Sequence, residues 1–259
     1  MEVKLTNSAK DFLMFSYFGI DLQEDEKDPQ REIAMKCAER AYRDMCRTLT
    51  FNEKMDGKNA KEKKDIEKNR KKFRDDICDL IVVEVKKLFE DGKDNFDDWH
   101  SATCNEIMKK AKECPGFYEQ KLLGKRNEDD KEVFYYGQAQ KWLNMTIKYM
   151  LMFDCFRDYR RNYEEKLHVP VDSYVIKAAK KLQKKLKEKN LGIDIKFPAN
   201  VWSKLKVDEY INFQKTLKCA LEKLADIEPN KSEYKSRYKW EEKEWVEIAK
   251  EERAQENKK

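Results

Sequence analysis

The chain is poor in turn-forming residues. Glycine occurs 7 times and proline 5 times in 259 residues, under half the roughly 12% the two take together in average usage. That scarcity excludes collagen-like and Pro/Gly-rich low-complexity classes. It also leaves too few turns for a many-stranded sandwich or a doubly wound α/β fold. Histidine occurs only twice, and the 7 cysteines form no C-x-x-C. Zinc sites and iron–sulfur clusters need grouped ligands, so no metal and no other cofactor is expected. The cysteines, at positions 37, 46, 78, 104, 114, 155 and 219, are odd in number and lie mostly in helix-like apolar patterns. They read as small buried hydrophobes in a reducing compartment rather than a disulfide framework. No run of 18 apolar residues and no apolar segment near Met1 is present. Neither a membrane span nor a signal peptide is expected, and the expected location is cytoplasmic or nucleoid-associated.

What the chain has instead is aromatic content, charge and helical periodicity. Aromatics make up 12% of residues and charged groups 41%, enough apolar bulk to exclude a fully disordered chain. Apolar residues recur at spacings of three and four almost throughout. The pattern predicts a helix over 8–18 ended by Gly19, and one starting at Pro29 that carries Ile33, Cys37, Ala41, Met45 and Leu49. Residues 52–72, with Asp56-Gly57, read as a loop leading into a solvated helix start. An amphipathic helix over 77–89 closes at Asp91-Gly92, and the next, from Trp99, is capped by Asp97 or Asp98 and stopped by Cys114-Pro115-Gly116. A charged connection with Gly124 spans 117–131. Further helices fall at 172–190, 207–225 and 231–252, with 193–202 irregular. The expected fold is all-α, nine or ten helices in a single domain over 1–259.

The most apolar segment is 134–155, and its part 141–155 is apolar over most of a helical wheel. Only Lys141, Asn144, Lys148 and Cys155 fall in one narrow polar stripe, which must face water, a partner or a cleft. Lys141 is expected in the first turn, where the macrodipole disfavours a cation. Further on, His168-Val169-Pro170-Val171-Asp172 is an extended approach ending in a strong N-cap residue, whose carboxylate accepts bonds from free helix amides.

Gly137-x-x-x-Lys141 opening one buried helix and Val169-Pro170-Val171-Asp172 opening the next resemble the helix-hairpin-helix DNA glycosylase superfamily, its 8-oxoguanine glycosylase branch in particular. The resemblance covers roughly residues 134–186, within a catalytic segment 134–190, and implies a two-lobed helical fold with a central cleft. It implies that Lys141 is a nucleophile at C1′ of the damaged nucleoside and that Asp172 stabilises oxocarbenium-like charge, with base excision and AP lyase activity on lesion-containing duplex DNA. It further implies that amides of Gly137, Gln138, Ala139 and Gln140 hold a phosphate, with Asn144, Lys148 and His168 completing a nucleic-acid face. The hairpin departs from the family's Leu-Pro-Gly-x-Gly, reading Phe134-Tyr135-Tyr136-Gly137-Gln138-Ala139, and residues 156–167 lengthen the connection with Arg157, Arg160, Arg161 and Lys166.

Residues 177–189 hold seven lysines and one glutamate, more than the whole chain's net charge of +5. Two readings stand: a solvated amphipathic helix, or a phosphate-tracking face with Lys177, Lys180 and Lys181. Trp202, Tyr210, Phe213 and Gln214 are candidates for a base-reading pocket. The competing functional expectation is a repurposed, non-catalytic member binding a nucleotide, a modified nucleoside or a protein partner, as in phage defence.

Overall fold

The computed structural model describes residues 5–21, 28–49, 51, 57–91, 95–113, 134–228, 230 and 234–256. The protein is all-α: nine α-helices and no strand occur among the described residues. They are α1 (Asn7–Phe18), α2 (Pro29–Met45), α3 (Ala60–Asp91), α4 (Phe96–Glu113), α5 (Tyr136–Met150), α6 (Arg157–Tyr163), α7 (Ser173–Glu188), α8 (Val207–Ile227) and α9 (Arg237–Glu256). The stops expected at Gly92 and at Cys114-Pro115-Gly116, and the connection 117–131, lie outside the described residues. None of the described helices is long and apolar enough to cross a membrane.

Local chemistry sets most helix ends. Thr6 caps α1 by accepting from the Ala9 amide, and Gly19 ends it with φ 72°, a left-handed conformation that glycine takes without a Cβ penalty. Asp28 caps α2 ahead of Pro29. The short helix α6 is not among those expected, α9 runs Arg237–Glu256 rather than 231–252, and two other shifted starts have a local cause. α3 begins at Ala60, because Asn59 and Glu62 cap each other's backbone amides and because Ile66 and Phe73 anchor the charged stretch in the core. α4 begins at Phe96, and its cap is Asn95, whose side chain accepts from the Asp98 amide. Asp97 thereby falls inside the first turn, with its carboxylate free for a distant partner.

The buried side chains form one continuous cluster that takes in residues of every helix. At its centre, α5 packs against α2, α4 and the short turn Trp202–Lys204. α2 offers a stripe of small residues, Ala34, Cys37, Ala38 and Ala41, all buried. Small side chains let the two helices approach closely, and Trp142 of α5 fills the space, donating its indole N–H to the Ala38 carbonyl at 2.9 Å. α7 packs along α9 and α8.

Gly137 is required by packing. Its amide donates to the Leu205 carbonyl at 3.1 Å, and a Cβ there would lie 2.0 Å from the Trp202 carbonyl oxygen. Backbone cannot yield as a flexible side chain does. Gly137→Ala is therefore expected to lower the unfolding free energy by about 3 kcal/mol, the upper part of the usual overpacking range, read by urea titration. An unchanged midpoint would contradict this packing account.

Candidate functional site

One edge of α5, largely buried except at Lys148, forms the floor of a cleft of about 610 Å³. Lys141, Met145, Lys148, Tyr149 and Met152 lie along this floor. The wheel's polar stripe is correct for the two lysines. Asn144 points inward instead, and Cys155 lies beyond the helix end in the turn Asp154–Phe156. Because α5 starts at Tyr136, Lys141 sits in the second turn, not the first.

Asp172 reaches this floor through the extended segment 168–172. Pro170 keeps the segment from turning helical, and side chains serve as its hydrogen-bonding neighbours. Gln140 accepts from the Val171 amide at 3.1 Å and donates to the Val171 carbonyl at 3.0 Å. Gln214 does the same for Val169, at 3.3 and 2.7 Å. The segment then delivers Asp172 as the N-cap of α7. One carboxylate oxygen accepts from the Val175 amide at 2.9 Å, and the other accepts from the Lys141 ammonium at 2.6 Å. The two side chains are 7% and 11% exposed, so the pair is shielded but still opens on the cleft. The structure thus brings together the two residues singled out as catalytic.

A second pair lies beside it. Lys148 donates to Glu241 of α9, which is almost wholly buried. Burial pushes the Glu241 carboxyl up from its ordinary value, Asp172 adds to this, and Lys148 and Lys141 oppose it. Nothing in the local sequence marks Glu241, which is 93 residues from its partner. The remaining lining includes Arg40, Arg43 and Asp44 from the end of α2, Arg47 from the turn that follows, and Tyr174, Trp202 and Trp245.

Several residues expected at nucleic acid have partners within the chain. Gly137, Gln138, Ala139 and Gln140 are all buried. The Gly137 amide is bonded to Leu205, and those of Gln138 and Ala139 to the Tyr135 carbonyl, so this stretch offers no amide cradle to a phosphate. The Gln138 side chain bonds the Tyr135 amide and the Thr48 carbonyl, and that of Gln140 is the clamp on Val171. The lysines of α7 and its C-cap are largely neutralised: Lys177 pairs with Glu252, Lys181 with Glu251, and Lys185 and the cap residue Lys189 with Glu228. Lys180 is exposed away from these pairs. Arg157, Arg160 and Arg161 likewise pair with Asp154, Glu164 and Asp158. Tyr210, Phe213 and Gln214 are core residues, whereas Trp202 does line the cleft.

Asn144 and His168 belong to a buried network behind the floor. Burial, aided by Arg237, pushes His168 down to about 4, so its ring is neutral near pH 7. Its hydrogen bond holds the Asp97 carboxyl down at about 2. An ionised carboxylate can only accept, which puts the proton of His168 on Nε2, 2.9 Å from Asp97. His168 Nδ1 then accepts from the Tyr210 hydroxyl at 2.9 Å, and Tyr210 accepts from Asn144 at 2.9 Å. His100, fully buried and also held neutral by burial, donates to the Asn144 oxygen at 2.9 Å.

No protein-family model, curated protein or solved structure matches this chain.

The network carries a pH signature. Folded His168 refuses a proton until about pH 4, whereas the unfolded side chain takes one up near 6.5. The folded state therefore binds fewer protons in this window, and stability is full above it and falls as pH drops through it. Between pH 7.5 and pH 5 the His168 contribution alone amounts to about 2 kcal/mol, and His100 adds in the same direction. Urea unfolding at the two pH values reads this loss, and His168→Gln reduces it. A pH-independent midpoint would show that folding leaves the proton affinity of the imidazoles unchanged, and would contradict this account.

Proposed function

We propose that the cleft is the site of a DNA glycosylase with AP lyase chemistry, acting on an oxidised purine of the 8-oxoguanine kind, and that it is this chain's counterpart of the central cleft of two-lobed glycosylases. The observation that carries the reading is the 2.6 Å contact between Lys141 and the N-cap carboxylate of Asp172 on the floor of an open cleft. Replacing a buried ion pair with apolar residues of similar volume is often neutral or stabilising. Two lysine–carboxylate pairs side by side, both reached by one cleft, are hard to justify by stability and point to use.

In this reading Asp172 takes the ammonium proton of Lys141, freeing the amine lone pair for C1′ of the flipped-out nucleotide. The C1′–N bond breaks and its electron pair leaves with the base, which gains the proton lost by the lysine. Asp172 passes that proton to the base as the bond breaks and, again a carboxylate held by the Val175 amide, lies beside the positive charge that develops on the sugar. The C1′–O4′ bond then breaks, the ring oxygen taking a proton from the new secondary ammonium, and leaves an imine between Lys141 and C1′. The Asp172 carboxylate takes a C2′ proton as the 3′-phosphate is expelled, and water hydrolyses the imine to return the amine.

Borohydride reduction in the presence of an 8-oxoguanine duplex is expected to trap a covalent protein–DNA adduct. Lys141→Gln is expected to abolish the adduct, and Asp172→Asn to reduce its rate by at least 100-fold while the helical content is retained. The absence of an adduct with the unaltered chain would remove the reading.

A second reading, binding of a nucleotide or modified nucleoside without strand chemistry, is favoured by the bonded amides at Gly137–Ala139 and the paired lysines of α7. It expects free-nucleotide binding without salt-dependent duplex affinity.

A further inference from the structure

Four carboxylates line the cleft, and each has a cation: Asp172 has Lys141, Glu241 has Lys148, Asp44 has Arg40, and Glu242 has Arg160 from outside the lining. Two cleft-lining cations are left over, Arg43 and Arg47. Neither has an ion pair among the described residues, and both are exposed. They stand four residues apart where α2 passes into the short turn Cys46–Thr48. On the α7–α9 side of the cleft, Tyr174 and Trp245 stack with ring centroids 4.9 Å apart and planes at 27°. Tyr174 lies two residues after Asp172, and Trp245 lies four after Glu241, on the same face of α9.

We infer that Arg43 and Arg47 form the phosphate-binding edge of the cleft, with a nucleotide unit as ligand, its phosphate on the arginines and its base against the Tyr174–Trp245 side. This rests on the reading of the cleft as a nucleotide site, and it supplies the anion-binding surface that neither residues 137–140 nor α7 offers. Guanidinium groups suit such a ligand, because their planar forks bind phosphate oxygens in bidentate fashion, and aromatic faces accept any base. The lining carries one more cation than carboxylate, and the two unpaired arginines are exposed where the two lysine pairs are largely buried. A phosphate would meet unpaired arginines before it met the two paired lysines. The shared chemistry is a phosphate ester of a nucleoside, supplied either by a free nucleotide or by a DNA strand.

The test compares the full chain with an Arg43→Gln/Arg47→Gln double variant, both sites being exposed and outside the core. Tryptophan fluorescence serves as readout, since Trp202 and Trp245 line the cleft. The probes are deoxyguanosine, deoxyguanosine 5′-monophosphate and a duplex with one 8-oxoguanine. The unaltered chain is expected to bind the monophosphate at least tenfold tighter than the nucleoside. The double variant is expected to lose at least tenfold on a phosphate-bearing probe, with the nucleoside unchanged. On duplex its log–log salt slope falls by about 2. Loss confined to the monophosphate assigns the edge to a free nucleotide, and loss confined to the duplex assigns it to a strand. Equal binding of nucleoside and monophosphate together with an unchanged duplex slope overturns the inference, as does the lack of a response to every probe. A chain that binds the monophosphate through these arginines yet traps no DNA keeps the inference and removes the glycosylase reading.

Discussion

An extended peptide that enters a protein interior without a neighbouring strand carries its amides and carbonyls to a place where water cannot bond them. Residues 168–172 are in that position, with Val169 and Val171 fully buried. Two glutamines take the part of the missing strands. Gln140 of α5 closes both backbone groups of Val171, and Gln214 of α8 closes both of Val169. Proline at 170 brings no amide to satisfy. Each glutamine must itself be held at a fixed height and angle, which ties the register of α5 and α8 to this one segment. Asp172 stands at the end of it, so the position of its carboxylate over Lys141 is set by packing from two helices remote in sequence.

This division explains what could be read from the sequence. Helix ends are local chemistry, and Gly19, Pro29 and Asp172 mark theirs in the expected way. The α5 wheel identifies a buried helix with a wet lysine edge because its signal is contained in 15 consecutive residues. The all-α class follows from such signals added together. Lys141 and Asp172 are visible because each has a local oddity, a cation in an apolar helix and a cap after an extended run.

The rest depends on partners far along the chain. The lysines of α7 suggest a bare cationic face when read alone, yet Glu251 and Glu252 of α9 lie against them, some 70 residues away. Gly137 suggests a phosphate turn, yet the neighbour that demands a glycine is the backbone of Trp202. Glu241 has no local mark, because its meaning lies in Lys148. Asp97 and Asp98 match Asn95 in capping power when taken in isolation, so the cap of α4 is ambiguous locally; the requirement for Asp97 elsewhere comes from His168. Composition records how many charges a helix carries, not which of them are already neutralised.

The hydrogen bonds behind the cleft floor all point one way. Protons are donated from His100 to Asn144, from Asn144 to Tyr210, from Tyr210 to His168 and from His168 to Asp97. The last acceptor is a half-exposed carboxylate that cannot donate, so it orders the whole series. Reversing any single link would leave two donors, or two lone pairs, facing each other further in. Asn144 also donates to Gln140, the clamp on the segment that carries Asp172. A surface charge on α4 thereby dictates which way a deeply buried amide is turned, and the influence travels as proton placement, with no heavy atom required to move.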